Sequence, residues 1–288
     1  MNPPTITQAL IGAKRLGLDL LDAQLLLLHA LGRPAHARAW LLSHDTDSLL
    51  PSHRTEFEAC VQRRRGGEPL AYITGHKEFF GIDLVVDARV LVPRPDTETL
   101  VQWALDLMPG NNARTEPLHV LDLGTGSGAI ALALKTARAD LQVSAIDRSE
   151  DALAVARENA SRLQLDVRFM PGCWLDDLAH HQYHAIVSNP PYIAVNDPHL
   201  RALEHEPAQA LTSGADGLDD IRHIIGQASS YLQPDGWLLL EHGYDQAHQV
   251  RRLLLQAGLV NVQSRRDLSG IERCSGGQAA ENPRQFPA

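Results

Sequence analysis

Two prolines flanked by an asparagine and a tyrosine, Asn189-Pro190-Pro191-Tyr192, follow the apolar run Tyr183 to Val187. Each proline locks φ and lacks an N–H, so the turn is stiff and its carbonyls are left free to accept. Asn189 adds a side-chain carbonyl, and Tyr192 adds a flat face and a hydroxyl. Together they form a slot for a planar group bearing NH2, such as an amide or an exocyclic base nitrogen. Its hydrogens would go to the Asn189 side chain and the Pro190 carbonyl, with Tyr192 against its plane. Such a nitrogen is a poor nucleophile because its lone pair is delocalised. Holding both hydrogens on acceptors aims it at an electrophilic methyl and stabilises the positive charge that grows during attack. No general base is needed before transfer, since the proton can leave afterwards. An ordinary proline turn is the bland alternative.

A second device follows the apolar run Val120 to Leu123. Gly124-Thr125-Gly126-Ser127-Gly128 places a glycine at every other position before a helical pattern from Ala129 to Ala137. Lack of side chains lets this backbone turn sharply and approach a ligand. The dinucleotide fingerprint spaces its glycines G-x-G-x-x-G; here the third glycine comes one position early, and Asp122 heads the loop. That favours a ligand with an ammonium and no pyrophosphate, received by Asp122 and the loop carbonyls. Asp147 ends the next apolar run and suits two ribose hydroxyls, with helix capping as its plain alternative. Trp174 suits the edge of an adenine ring, against a role in the core. Arg94, set between Pro93 and Pro95, suits anchoring of the acceptor, against a structural salt bridge. An NAD-dependent oxidoreductase fits neither the glycine spacing nor the Asn-Pro-Pro-Tyr turn.

Strands ending in polar devices with helices between them predict the ligand edge of an open, parallel α/β sheet. Helices are expected over 149–161, 221–232 and 246–257, and strands at 167–169 and 237–241. Strands at 260–263 and 271–273 would complete the sheet antiparallel. The helix from Thr99 to Met108 would be capped by Asp96 or Thr97. Residues 193–219 form a long polar loop, a length typical of lids and binding loops. Before the sheet, residues 1–70 read as a small helical bundle, either a stabilising appendage or a docking module for a macromolecular substrate. Residues 71–92 read as a hairpin linker, residues 93–275 as the main domain, and residues 276–288 as a disordered tail.

The chain has 288 residues, with 26 Lys+Arg against 35 Asp+Glu. The net charge of -9 argues against broad, backbone-driven nucleic-acid binding. Arg63 to Arg65 is the one small basic cluster, and it suits the C-terminal turn of a helix equally well. Three separated cysteines, Cys60, Cys173 and Cys274, make no metal or disulfide framework and favour a reducing compartment. No secretory signal or membrane-spanning run is visible, so a cytoplasmic protein is expected. His180, His181 and His184 look clustered, yet no further ligand completes a metal site.

The chain resembles the peptide-chain release factor glutamine N5-methyltransferases, within the class I S-adenosylmethionine methyltransferases. The resemblance rests on 67–73 (Gly-Glu-Pro-Leu-Ala-Tyr-Ile), 92–98 (Val-Pro-Arg-Pro-Asp-Thr-Glu), 121–128, 189–193 and 267–273 (Asp-Leu-Ser-Gly-Ile-Glu-Arg). The Asn-Pro-Pro-Tyr turn alone is shared with DNA adenine and rRNA guanine methyltransferases; its combination with the proline-flanked arginine is more specific. Asp96 stands where many relatives carry Glu.

The resemblance implies a seven-stranded Rossmann-like methyltransferase domain preceded by a helical bundle and a hairpin linker. It implies S-adenosyl-L-methionine as cofactor and methylation of the glutamine in the Gly-Gly-Gln loop of class 1 release factors. Cofactor contacts are expected from Asp122, Gly124, Thr125, Gly126, Ser127, Gly128, Asp147, Trp174 and Asn189. The acceptor is expected on Asn189, Pro190, Pro191, Tyr192 and Arg94, with Asn189, Pro190 and Tyr192 catalytic. A monomer without metal, membrane or nucleic-acid partner is expected. An N-methyltransferase acting on adenine or guanine is the rival, and a non-enzymatic binding protein on a degenerate scaffold is another. The latter is disfavoured because Asp122, Asp147 and Asn189 are all present.

Overall fold

A computed structural model describes residues 3–108, 116–176, 178–179 and 182–280. Within it the chain forms two compact units, Met1–His76 and Lys77–Ala288.

The first unit is helical: α1 (Ile6–Arg15), α2 (Leu20–Ala30), a 3₁₀ turn and α3 (Arg38–Ser43), α4 (Pro51–Arg65) and α5 (Leu70–Thr74). Thr5 and Gln8 form a capping box at α1, and Pro51 occupies the first turn of α4, where a missing N–H costs nothing. The run Leu26-Leu27-Leu28 is wholly buried, because α2 packs against α1, α3, α4 and α5 at once. The stretch Ala71 to Ile73, expected in the hairpin, is helical instead. Thr74 Oγ1 donates back to the Leu70 carbonyl at 3.1 Å, and Gly75 ends the helix in a left-handed conformation. The hairpin is confined to β1 (His76–Phe79) and β2 (Ile82–Val85).

The second unit holds a seven-stranded sheet of β3 (His119–Leu123), β4 (Gln142–Asp147), β5 (Arg168–Pro171), β6 (Tyr183–Ser188), β7 (Leu232–Glu241), β8 (Val260–Arg266) and β9 (Glu272–Gln278). The order is β5-β4-β3-β6-β7-β9-β8, parallel except for β9. Its helices are α6 (Glu98–Leu107), α7 (Ala129–Ala137), α8 (Glu150–Leu163), α9 (Asp219–Ala228) and α10 (Ala247–Gln256). Neighbouring β3 and β6 are remote in sequence, so the winding reverses between them and a crevice opens at their carboxyl ends. Leu123 sits opposite Ser188 there, and Ser188 Oγ donates to the Leu123 carbonyl at 2.7 Å. The glycine loop and the Asn-Pro-Pro-Tyr turn therefore leave the sheet side by side.

The chain end differs from the expectation. Gly276, Gly277 and Gln278 lie in β9, so the main domain does not stop at residue 275. A Cβ on Gly276 would come within 2.5 Å of Leu239 Cδ2, which makes this glycine a close-packing device and not a sign of a tail. Residues 281–288 and 109–115 fall outside the described residues. β7 begins earlier than expected and α9 ends earlier, at Ala228. No helix among the described residues is long and apolar enough to cross a membrane.

Candidate active site

The glycine loop is braced from below. Gly124 N and Thr125 N both donate to the Ile146 carbonyl, and Gly128 N donates to Thr125 O. Gly126 N donates to Asp147 Oδ2 at 2.8 Å. Gly124 and Gly128 take positive φ, and a Cβ on them would lie 3.0 Å from the Trp174 ring and 2.9 Å from Leu132. Asp122 is fully buried; its Oδ2 accepts from Thr125 Oγ1 at 2.6 Å and Ala131 N at 3.2 Å. Its Oδ1 is buried without a hydrogen-bond partner. Burial pushes this carboxyl up to about 7, opposed by those two bonds and aided by Asp147.

A cavity of about 670 Å³ of empty space, counting its open mouth, lies over this loop; Gly124, Gly126, Asp147, Trp174, Asn189 and Pro191 line it. Asp122, Thr125, Ser127 and Gly128 do not line it. They lie beneath it, where Asp122 braces Thr125 and Ala131. Asp147 is no helix cap: Ser149 caps α8, while Asp147 Oδ1 accepts from Ser149 N at 2.9 Å. Burial raises the Asp147 pKa. Trp174 packs in the core, with its indole N–H donating to Asp220 at 2.9 Å, and also lines the cavity.

These features suit S-adenosylmethionine. The loop spends its N–H groups on Ile146, Asp147 and Thr125, leaving few for a pyrophosphate. The two carboxylates, one with an unpaired buried oxygen, make that end of the cavity hospitable to a cation.

A second cavity adjoins the acceptor turn, lined by Leu91, Arg94, Asn189, Pro190, Tyr192 and Leu203 among others. Asn189 lines both cavities and so stands in the wall between them. Its Nδ2 donates to Thr97 Oγ1 at 3.2 Å, which turns Oδ1 the other way. No hydrogen bond among the described residues occupies Asn189 Oδ1 or the Pro190 carbonyl. The Tyr192 carbonyl, by contrast, accepts from Gln246 Nε2 at 3.0 Å. Tyr192 OH donates to Glu241 Oε1 at 3.2 Å, and burial beside that carboxylate raises the tyrosine pKa.

Thr97 and Glu241 escaped the sequence reading. Thr97 looked like a helix cap, but it makes no capping bond and its hydroxyl serves Asn189. The one available signal for Glu241 was an acid ending the apolar run Trp237 to Leu240. Arg94 lines the second cavity and also makes a salt bridge. Its guanidinium pairs with Glu206, which is buried and also accepts from Val92 N at 3.1 Å. That pair pins the long loop, whose 3₁₀ turns span Pro198–Leu203 and Ala208–Ala210. Arg273 lies 3.3 Å from both Asp96 and Asp267, joining two of the motifs read in the sequence.

His184 accepts from His119 N at 3.0 Å through Nδ1, while His180 and His181 lie outside the described residues. In the helical unit, Arg63 pairs with Glu68 and Arg64 with Asp22, while Arg65 donates to Gln62, so two of the three arginines are charge-compensated. His29, Glu56 and Cys60 come within 4.8 Å of one another there, and burial with help from Glu56 raises the Cys60 thiol pKa.

Two family models match the chain: a methyltransferase small domain over residues 106–214 and a PrmC N-terminal domain over residues 6–75. A release factor glutamine methyltransferase from Bordetella pertussis is 50% identical over 264 residues, covering 91% of this chain and 95% of the relative. Another, from Pseudomonas aeruginosa, is 46% identical over 265 residues, covering 90% and 92%. Among solved structures, a methyltransferase from Pyrococcus furiosus shares the fold, with a TM-score of 0.53 and 18% identity over 77% of this chain and 98% of that one.

Proposed function

We propose an activity from one premise: the chain belongs to the release factor glutamine methyltransferase family. It transfers a methyl group from S-adenosylmethionine to the side-chain amide nitrogen (N5) of the glutamine in the Gly-Gly-Gln loop of class 1 release factors. The products are N5-methylglutamine and S-adenosylhomocysteine. The observation that carries this reading is Asn189, placed in the wall between two cavities with its amide tethered and its oxygen open.

S-adenosylmethionine supplies a methyl group activated by a sulfonium. Asp147 is placed to accept ribose hydroxyls, since each carboxylate oxygen keeps a lone pair after its backbone bond. Gly124 and Gly126 keep the cavity floor free of side chains. On the acceptor side, Asn189 Oδ1 and the Pro190 carbonyl take the two amide hydrogens, and Tyr192 and Pro191 bound the slot. The acceptors point where positive charge grows on nitrogen, so they strengthen as the transition state is approached. The proton departs after transfer.

The helical unit is the docking module for the release factor in this reading. The internal pairing of Arg63 and Arg64 supports a protein over a nucleic-acid partner. Cys60, Cys173 and Cys274 are free thiols, in keeping with a reducing, cytoplasmic setting.

The test is methyl transfer from labelled S-adenosylmethionine to purified class 1 release factor, its Gln-to-Ala loop variant, bulk RNA and DNA. Label on the intact factor alone is expected. Label on nucleic acid with none on either factor overturns the protein-substrate reading.

A further inference from the structure

We infer that Asn159 is a positioning residue for S-adenosylmethionine: its buried side-chain amide fixes the floor and one wall of the cofactor cavity at a single spacing. This rests on S-adenosylmethionine as the cofactor.

Asn159 lies on α8, one turn after Ala156, and is 0% exposed. Its Oδ1 accepts from Val85 N at 2.7 Å, and its Nδ2 donates to Val85 O and Ser127 O, each at 3.0 Å. The partners fix the orientation of the amide. A backbone N–H only donates and a carbonyl only accepts, so a flipped amide would set donor against donor and acceptor against acceptors. Both Nδ2 hydrogens are used.

The two partners belong to different sides of the cavity. Ser127 lies in the glycine loop, directly after Gly126, which lines the cavity floor. Helix α7 does not supply its carbonyl, because Ala131 N, the donor four residues on, goes to Asp122 Oδ2 at 3.2 Å. The loop comes close to α8 here: a Cβ on Gly128 would stand 3.3 Å from Ala156 Cβ. Val85 ends β2, and the chain runs on to Arg89, Val90 and Leu91, which line the same cavity. The far end of this strip is held separately, by Val92 N donating to Glu206 at 3.1 Å. One side chain therefore sets the floor and the near end of the wall, yet it lines neither cavity itself.

The residue type follows from this arrangement. A residue that only packed α8 against its neighbours would be apolar, as buried Val155 and Ala160 are. Leucine at this position would leave an N–H and two carbonyls without their partner. Aspartate has the same shape but no hydrogen to give, and its charge would face two carbonyls away from water. Without the amide, floor and wall are free to part, and a bound cofactor loses its fit along one side. The acceptor turn keeps its own ties to Thr97, Glu241 and Gln246.

The experiment compares the parent with Asn159→Asp and Asn159→Ser, and with Leu153→Val as a destabilised comparison from the buried face of the same helix. Kd for S-adenosylmethionine and S-adenosylhomocysteine is read by calorimetry, melting temperature by circular dichroism, and release factor KM at saturating cofactor. Asn159→Asp should raise both Kd values about 10-fold. Release factor KM should stay within about twofold of the parent. Hydrogen exchange should quicken together at residues 85–91 and 124–128. Leu153→Val should lower the melting temperature and keep the parental Kd. Asn159→Ser decides the matter if Asn159→Asp does not fold. A folded Asn159 variant with parental Kd overturns the inference, as does a Kd loss matched by Leu153→Val. A parent that binds no S-adenosylmethionine overturns the cofactor reading itself, a separate outcome.

Discussion

The glycine loop and the acceptor turn leave adjacent strands at the same height, yet they are held in different ways. The loop is secured by backbone bonds and by Asp122 and Asp147, whose partners lie close in the chain or one strand away. The turn is secured by side chains from distant segments: Thr97 before α6, Glu241 at the end of β7 and Gln246 before α10. Both rest on a fully buried carboxylate pushed up to about 7 by its burial. The difference teaches that the cofactor half can be specified locally, whereas the acceptor half exists only once the sheet has assembled.

Asn189→Ala presses hardest on that contrast. It should lower kcat roughly 100- to 1,000-fold while leaving cofactor Kd nearly unchanged, because its oxygen acts on the nucleophile. Single-turnover rates with calorimetry check this, and an equal loss of cofactor affinity would dissolve the division between the halves.

Next in size is the buried carboxylate of the glycine loop, Asp122. The folded pKa of Asp122 lies above its unfolded value, so the folded state holds the extra proton between the two. Stability from this group is therefore highest at low pH and declines as pH rises toward about 7. Asp122→Asn removes that slope. Relative to the parent, the variant should gain about 3 kcal/mol in unfolding free energy between pH 5 and pH 8. Urea titrations of both proteins at each pH measure it, and a pH-independent difference would mean that Asp122 is ionised as easily as in the unfolded chain. The exposed, ion-paired carboxyls such as Asp216 and Asp87 have the opposite sign, and the comparison between variants cancels them.

Asp147→Ala should act on the other half alone, raising cofactor Kd roughly 10- to 100-fold through lost charged hydrogen bonds. At saturating cofactor, kcat should recover; failure to recover would extend Asp147's reach into the acceptor half. The smallest effect is expected from Glu206→Gln. It loosens the tie from Arg94 to the long loop and should raise release factor KM about threefold, with cofactor Kd unchanged. A larger change in Kd than in KM would place that loop with the cofactor.

Much of the site was legible in the chain because strand ends carry recognisable devices. Gly124 to Gly128, Asp147 and Asn189 to Tyr192 each announce themselves by residue type after an apolar run. The reading failed where one residue type has two uses. Thr97 had the chemistry of a cap but serves Asn189, and Gly276 looked like a loop but gives way to Leu239. Arg94 offered a guanidinium whose partner, Glu206, could not be known before the long loop was placed.

The sequence by itself determined the sheet's elements, the identity of the two devices and the chemistry each offers. Local propensity and periodicity govern strands and turns, and side-chain chemistry does not depend on the fold. Only the tertiary structure decided that Asp122 supports the loop from beneath, that Asn189 lines two cavities, and that Glu241 meets the Tyr192 hydroxyl. Those relations arise from strand order and burial, which bring remote residues together and take a carboxylate out of water.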